Sequence, residues 1–125
     1  MPVFRNSNEG KGRMEEHFYE DARHPWISVE PGIRRKIVGH TPNLLAAVVL
    51  FDKGAVGAAH GHAGHEQIAY VLAGAFEVEV EGEKRVLRAG DAFIADKNIR
   101  HGVVALEQDS RLLDVFSPRR DDFIE

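Results

Sequence analysis

The sequence predicts an all-β fold, built either as a sandwich or as a barrel. After residue 25, short apolar or alternating runs follow one another and are separated by turn residues, as is typical of such folds. One run, Phe-Glu-Val-Glu-Val-Glu at residues 76–81, alternates strictly and predicts a strand with one buried and one solvated face. No run after residue 25 combines helical length with a 3.6-residue period. We therefore expect strands and no long helix.

Ten runs are predicted to be strands, and turn residues separate them. Pro31-Gly32, Thr-Pro-Asn at residues 41–43 and Ala-Gly-Asp at residues 89–91 are turn signals. Glu-Gly-Glu at residues 81–83 joins two of the runs as a hairpin. The predicted strands cover residues 26–29, 33–38, 44–51, 55–60, 67–72, 76–80, 85–87, 92–95, 103–106 and 111–116.

The chain length of 125 residues predicts one domain with one hydrophobic core. Residues 1–24 carry mixed charge, two glycines and little periodicity, so we expect them to form an N-terminal arm. Residues 25–125 contain all the predicted strands. We expect this second range to form the barrel domain.

Composition and charge exclude several classes of function. The net charge is −4 and no basic stripe is present, so no nucleic-acid partner is expected. The chain has no cysteine, which leaves imidazole, carboxylate and amide groups as the available metal ligands. The longest apolar run, residues 44–51, is far shorter than the roughly 20 residues of a membrane span. With no signal-peptide pattern at its start, the chain is expected to be cytoplasmic, with no membrane partner.

A metal-ligand pattern lies between Gly54 and Gly74. His60 and His62 are two residues apart, and on a β-strand side chains at that spacing project from the same face. Two imidazoles on one face can share one ion. A third potential ligand follows a few residues later in the same stretch.

This stretch and a later one resemble the paired motifs of the cupin superfamily. The first motif reads Gly54-x5-His60-x-His62-x4-Gln67-x6-Gly74, and the second reads Gly90-x5-Asp96-x-Asn98-x2-His101. The resemblance implies a double-stranded β-helix, also called a jelly roll, that holds one divalent metal ion. The implied metal ligands are His60, His62, Gln67 and His101. The second motif departs from the family pattern, because Asp96 and Asn98 replace its usual proline and glycine, and Ala105 replaces a frequent asparagine.

The third ligand is a choice between Glu66 and Gln67. The motif spacing to Gly74 favours Gln67, since Glu66 would need seven intervening residues. A neutral amide leaves the ion its full positive charge and makes it a stronger Lewis acid. Imidazole and amide ligands accept Zn, Ni, Co, Mn or Fe, so the identity of the metal is left open.

The remaining histidines are interpreted as packed or surface residues: His17, His24, His40 and His65.

A second informative segment begins at Leu113. By strand alternation Asp114 shares a face with Leu112 and Phe116, which places an acid among apolar neighbours on an inward-facing strand. A carboxylate there is costly unless it is paired, hydrogen-bonded or functional. The structural alternative is a salt-bridged Asp114 followed by a solvated tail at residues 119–122.

With the first motif, this segment resembles the small single-domain cupins of pectin and alginate breakdown. The late pattern Asp-x-Phe-Ser-Pro-x-Arg runs from Asp114 to Arg120. The resemblance implies a metal-dependent, isomerase-type enzyme that converts 4,5-unsaturated monouronates to the linear keto form by Lewis-acid and acid/base catalysis. It further implies that Asp114 is the acid/base, Phe116 packs on the sugar, and Arg120 pairs with the uronate carboxylate, which suits its planar fork.

Two other functions stay open at this point. One is a different metal-dependent cupin enzyme, such as an iron-dependent dioxygenase, because three histidines and an open position can also activate oxygen. The other is a non-catalytic sugar-binding or sensor protein. In each case the partner is a small molecule.

The apolar run at residues 44–51 has no polar face and needs covering on both sides, so we also expect a homodimer.

Overall fold

The computed structural model describes residues 17–124, where ten strands form two antiparallel sheets. The predicted all-β jelly roll is confirmed. Helical structure in the described range is limited to two 3₁₀ turns, Asp21–Arg23 and Asp121–Phe123. Most of the predicted N-terminal arm lies outside the described residues, so its boundary at residue 24 stays a prediction. No helix within residues 17–124 is both long and apolar enough to cross a membrane.

The larger sheet has six strands in the order β1-β2-β3-β10-β5-β8. Its strands cover Ile27–Glu30 (β1), Ile33–Thr41 (β2), Leu44–Phe51 (β3), Glu66–Ala73 (β5), Ala92–Ala95 (β8) and Ser110–Ser117 (β10). Strand β10 is central, because it pairs with β3 on one side and with β5 on the other.

The smaller sheet has four strands in the order β4-β9-β6-β7. Its strands cover Val56–His60 (β4), Ala75–Val80 (β6), Glu83–Arg88 (β7) and His101–Ala105 (β9). The predicted hairpin joins β6 to β7 through Glu81 and Gly82, which both have positive φ, at 51° and 84°. Two central residues with positive φ make the type I′ turn, whose twist matches that of the paired strands.

The hydrophobic core lies between the two sheets. Phe51 of the larger sheet and Phe76 of the smaller one meet edge to face, with ring centroids 5.0 Å apart. Successive side chains on each strand point alternately into this core and away from it. On β10 the inward set is Leu112, Asp114 and Phe116, as predicted, and each is buried. The acid therefore does lie on the apolar inner face.

Candidate metal centre and active site

A cavity of about 540 Å³ opens between the sheets at the end where β4 and β9 meet β5 and β10. All seven residues that the sequence analysis singled out line this cavity: His60, His62, Gln67, His101, Asp114, Phe116 and Arg120. Residues far apart in the chain are thus brought to one place by the pairing of the strands. Their placement is described by the structure, whereas their roles stay proposals.

Three histidine rings form a cluster on one wall of the cavity. His60 ends β4 and lies opposite His101, the first residue of β9, with ring centroids 4.8 Å apart. His62 lies just beyond the end of β4, and its ring centroid is 4.4 Å from that of His60 and 6.2 Å from that of His101. The expected proximity of His60 and His62 is found, although only His60 lies within the strand.

Backbone carbonyls fix the orientation of two of these rings. Nδ1 of His60 lies 2.6 Å from the carbonyl oxygen of Ala58, and Nδ1 of His101 lies 3.0 Å from that of Ile99. A carbonyl only accepts, so Nδ1 carries the proton and donates in both cases. The Nε2 atoms of His60 and His101 are then the ones left with a lone pair for a ligand.

Gln67 and Glu66 point in opposite directions. Gln67 is buried and faces the cavity from β5, whereas Glu66 is exposed. Nε2 of Gln67 donates to Oδ1 of Asp114 over 2.9 Å. Since an ionised carboxylate only accepts, the NH₂ group of the amide faces Asp114 and Oε1 of Gln67 is its free ligand atom. Strand alternation therefore agrees with the choice of Gln67 as the candidate ligand.

The surroundings of the cluster favour the neutral form of two of its imidazoles, those of His62 and His101. Burial, followed by the charge of Arg120 and of the neighbouring histidines, lowers the pKa of His62 to about 4. Burial likewise lowers the pKa of His101, although the hydrogen bond to Ile99 opposes this shift. A histidine must be deprotonated to bind a metal ion. The electrostatics of the cluster thus suit metal binding near neutral pH.

The pKa of Asp114 is shifted in the opposite direction, upwards. Burial raises the pKa of its carboxyl group to about 6, although the hydrogen bond from Gln67 and the charge of Arg120 both oppose this rise. Its hydrogen-bond partner is the amide of Gln67, and within residues 17–124 it forms no salt bridge. The salt-bridged alternative is therefore not what the structure contains.

Arg120 lies at the rim of the cavity and is largely buried, with 14% of its side chain exposed. Its Nε and Nη2 donate to the two carboxylate oxygens of Asp122 over 3.2 and 2.6 Å. Nη1 lies 3.5 Å from Nε2 of His62. The guanidinium also stacks near Phe116 and Phe123, at 5.1 and 4.2 Å from their ring centroids. This arginine belongs to the packed wall of the cavity and not to a solvated tail.

The donor set fits a divalent metal ion. A ring nitrogen lies about 2.0–2.1 Å from a bound zinc ion, so two rings on one ion have centroids at most about 6.5 Å apart. All three pairs among the histidines meet this limit. As they stand, no three or more His, Cys, Asp or Glu side chains within residues 17–124 are arranged to hold an ion. Nε2 of His62 lies 3.5 Å from Nη1 of Arg120.

His65 was interpreted as a residue outside the site, and the structure places it beside the site. Its ring stacks on that of His62, with centroids 4.3 Å apart, and meets Phe116 edge to face. Its Nε2 atom is buried without a hydrogen-bond partner among the described residues. The ring does not line the cavity, so its contacts support the position of His62 and Phe116.

Sequence reasoning missed three residues at the rim: Arg35, Asp122 and Phe123. Alternation along β2 offered one signal, because it places Arg35 on the same face as the buried Ile33. Asp122 and Phe123 belong to the short 3₁₀ turn after β10, where no strand period applies. Their positions depend on how the chain end folds back.

The comparison with protein families shows the family of this chain. A family model described as Cupin domain matches residues 47–116, which is more than half of the chain. The chain belongs to the cupin family. This cupin is 51% identical over 111 residues to the pectin degradation protein KdgF of Dickeya dadantii, an alignment that covers 89% of this chain and 100% of the relative.

Two solved structures extend the comparison. The structure of KdgF from Halomonas sp. is 59% identical, with a TM-score of 0.85, and the match covers 86% of this cupin and 98% of that chain. An RmlC-like cupin from Shewanella frigidimarina is 39% identical, with a TM-score of 0.82, over 86% of this chain and 96% of that one. The resemblance noted in the motifs therefore extends over most of the fold.

Proposed function

We propose that this cupin converts 4,5-unsaturated monouronates, released during the breakdown of pectin or alginate, to their linear keto form. The observation that carries the proposal is the buried carboxyl group of Asp114, which lies in one cavity with three histidines and an arginine. The identity to proteins named for pectin degradation, at 51% and 59%, supports the substrate class.

His60, His62, His101 and Oε1 of Gln67 would hold the divalent ion. When bound, such an ion supplies Lewis-acid polarisation of a substrate oxygen. Three imidazoles and an amide accept Zn, Ni, Co, Mn or Fe. The hydrogen bond between Gln67 and Asp114 links the ligand set to the proposed acid/base, so the two parts of the site are oriented together.

The reaction moves protons without any change of oxidation state overall. The anomeric hydroxyl loses a proton, the ring C–O bond breaks to give an aldehyde and an enolate, and a proton added to the enolate carbon gives the ketone. One proton leaves and one returns, so the product is an isomer of the substrate. Asp114 carries the proton between these positions, a task for which a carboxyl pKa of about 6 is suited.

Phe116 and Arg120 bind the substrate in this scheme. The ring of Phe116 forms part of the cavity wall and offers an apolar face to the sugar. Asp122 uses two of the five N–H donors of Arg120, and Nη1 also lies 3.5 Å from Nε2 of His62, which leaves N–H donors on both terminal nitrogens to meet the uronate carboxylate. Charge-assisted hydrogen bonds from a planar guanidinium fix the position of a carboxylate well.

The test is a panel of unsaturated monouronates assayed by the loss of the conjugated chromophore, with and without a chelator. Metal-dependent loss of the chromophore with unsaturated galacturonate is expected. Binding without any conversion would instead indicate a sugar-binding or sensor protein. Oxygen consumption with a phenol or thiol, abolished by iron chelation, would indicate a dioxygenase.

We also infer a homodimer in the cytoplasm. The outer face of the larger sheet presents Ile68, Tyr70 and Leu72 on β5 and Ile94 on β8, which are 41–68% exposed. Ile68 and Ile94 are paired across the two strands, so the apolar surface is continuous. Light scattering should give twice the monomer mass for the native chain, and the monomer mass for Ile68→Lys. A native monomer would contradict the inference.

A further inference from the structure

A second arginine, Arg35, lines the cavity at the rim where Arg120 lies. It projects inward from β2, because it pairs with the buried Val49, which in turn pairs with the buried Leu112. Within residues 17–124 its guanidinium forms no salt bridge and no side-chain hydrogen bond. Glu30 also lines the cavity, and among the described residues it forms no salt bridge with Arg35.

Arg35 and Arg120 share one aromatic ring. The guanidinium carbon of Arg35 lies 3.7 Å from the ring centroid of Phe123, and that of Arg120 lies 4.2 Å from the same centroid. Burial, followed by the charge of Arg120, lowers the pKa of Arg35. Two cations therefore lie close together on a half-buried surface, where their charges are less screened than in water.

Asp122 forms a direct ion pair with only one of the two cations, although its charge also opposes the lowering of the pKa of Arg35. It forms a two-point ion pair with Arg120, through contacts of 3.2 and 2.6 Å. The group formed by Arg35, Arg120 and Asp122 thus keeps a net positive charge at the cavity rim. Arg35 presents N–H donors in a fixed planar fork, and their natural acceptor is a carboxylate.

The position of Arg35 relative to Asp114 suits a single sugar. Arg35 and Asp114 are two strands apart, and the register displaces them by two residues along the strand. With strands about 4.8 Å apart and a rise of about 3.4 Å per residue, their Cα atoms are about 12 Å apart. Both side chains point into the cavity between them, so one end of a monosaccharide can meet the guanidinium while the other meets the carboxyl.

We propose that Arg35 and Arg120 form a two-arginine clamp for the carboxylate of the substrate, with Phe123 as the rigid platform that spaces them. Asp122 holds the fork of Arg120 in place, and Arg35 supplies the charge that selects a free acid over a neutral sugar or an ester. The proposal rests on the proposed function for its substrate, a monouronate. It assigns a specificity role to Arg35, which the motif pattern does not contain.

The test compares Arg35→Gln with Arg34→Gln in the full-length, metal-loaded protein. Arg34 is the adjacent residue on the opposite face of β2, where it forms a salt bridge with Asp52 over 3.1 Å. Both substitutions remove one positive charge, but only Arg35→Gln removes it from the cavity. We expect Arg35→Gln to raise KM for unsaturated galacturonate about 10- to 100-fold while kcat changes less than about 3-fold. Arg34→Gln should leave KM unchanged, and Arg35→Lys should restore part of the lost affinity.

A binding measurement separates this proposal from the proposed function. The dissociation constants of galacturonate and its methyl ester are measured by calorimetry, which requires no reaction. Native protein should prefer the acid, and Arg35→Gln should lose most of that preference with an unchanged melting temperature and metal content. An unchanged preference overturns the clamp even if ketonisation is observed. A lost preference supports the clamp even if no ketonisation occurs, and native protein that binds no uronate overturns both proposals.

Discussion

At the scale of single residues, the surroundings of Asp114 favour a proton-transfer role. Only 8% of the residue is exposed, and its hydrogen bond to the Gln67 amide leaves the second carboxylate oxygen for other partners. Burial raises its pKa to about 6, which is close to the pH at which a general acid/base exchanges protons efficiently. A purely structural aspartate at a buried position would instead be expected to have a charged partner.

Asp114→Asn should lower turnover of unsaturated galacturonate by about 10²–10⁴-fold, because a positioned acid/base contributes that order of rate and an amide cannot carry the proton. Metal content should stay at the native level, since Asp114 is not among the proposed ligands. Chromophore loss and metal analysis measure the two effects. Asp109→Asn, a change at an exposed turn residue whose φ of 61° suits asparagine, is the control. Native turnover in Asp114→Asn would remove this residue from the mechanism.

Gln67→Ala should reduce the metal content of the purified protein, because it removes the fourth proposed donor from the inner face of β5. Glu66→Ala is the matched control, since this neighbour is exposed on the other face. The measurement is metal analysis after dialysis against a weak chelator. Loss of metal in Glu66→Ala with retention in Gln67→Ala would show that the ligand assignment is wrong.

At the scale of elements, β10 carries two of the proposed site residues, Asp114 and Phe116. Gly74 is the residue that connects β5 to β6. Gly74 has a φ of 77° and lies against Ser110, the first residue of β10. The single O–H of Ser110 lies closer to the carbonyl oxygen of Glu107, at 2.8 Å, than to that of Ala75, at 3.2 Å, and Oγ accepts from the amide of Ala75. The close approach at Gly74 therefore fixes where β10 begins, and through strand alternation it fixes which side chains face the cavity.

Gly74→Ala should destabilise the fold by about 2–5 kcal/mol. A Cβ there would lie 2.8 Å from Cα of Ser110, which adds overpacking to the cost of a positive φ. Gly82→Ala is the matched control, because its φ of 84° is similar and nothing lies within 4 Å of its Cβ position. That change should cost only about 1–2 kcal/mol. Urea denaturation measures both, and equal losses would contradict a packing role for Gly74.

At the scale of the whole molecule, the histidine cluster links the stability of the fold to pH. In the metal-free protein the pKa values of His62, His65 and His101 are lowered, chiefly by burial. Between the lowered folded-state pKa and the usual value near 6.5, the unfolded chain binds protons that the folded chain does not. Stability therefore falls as the pH falls through this window. Asp114 acts in the opposite direction, since its raised pKa lets the folded chain bind the extra proton.

The metal-free protein should therefore lose stability between pH 7 and pH 5, because three histidines outweigh one aspartate. His62→Asn should flatten this dependence, because the folded-state pKa of about 4 means that the His62 ring takes up a proton in this window only in the unfolded chain. Urea denaturation of chelator-treated protein at several pH values measures the trend. His24→Asn, a change outside the cavity, is the control and should leave the slope unchanged. Stability that rises towards pH 5 would contradict the neutral, buried state of these rings.

Local patterns were sufficient to predict the strands and much of the candidate site. The ten predicted strands correspond to ten observed ones, because period-two alternation and turn residues act over a few neighbouring positions. The Glu81-Gly82 turn was found for the same reason. Candidate ligands such as His60 and Gln67 carry a motif whose spacing reflects the face of the strand on which each side chain lies.

What the sequence by itself determined was the all-β class, the strands and the seven residues that face one cavity. Only the tertiary structure decided that the chain end folds back, so that Arg35 and Arg120 both contact the ring of Phe123 and Asp122 pairs with Arg120. Arg35 and Phe123 are separated by most of the chain, and no local period relates two such positions. Their contact arises from the order in which the strands pair and from the packing of one aromatic ring, which only the assembled fold specifies.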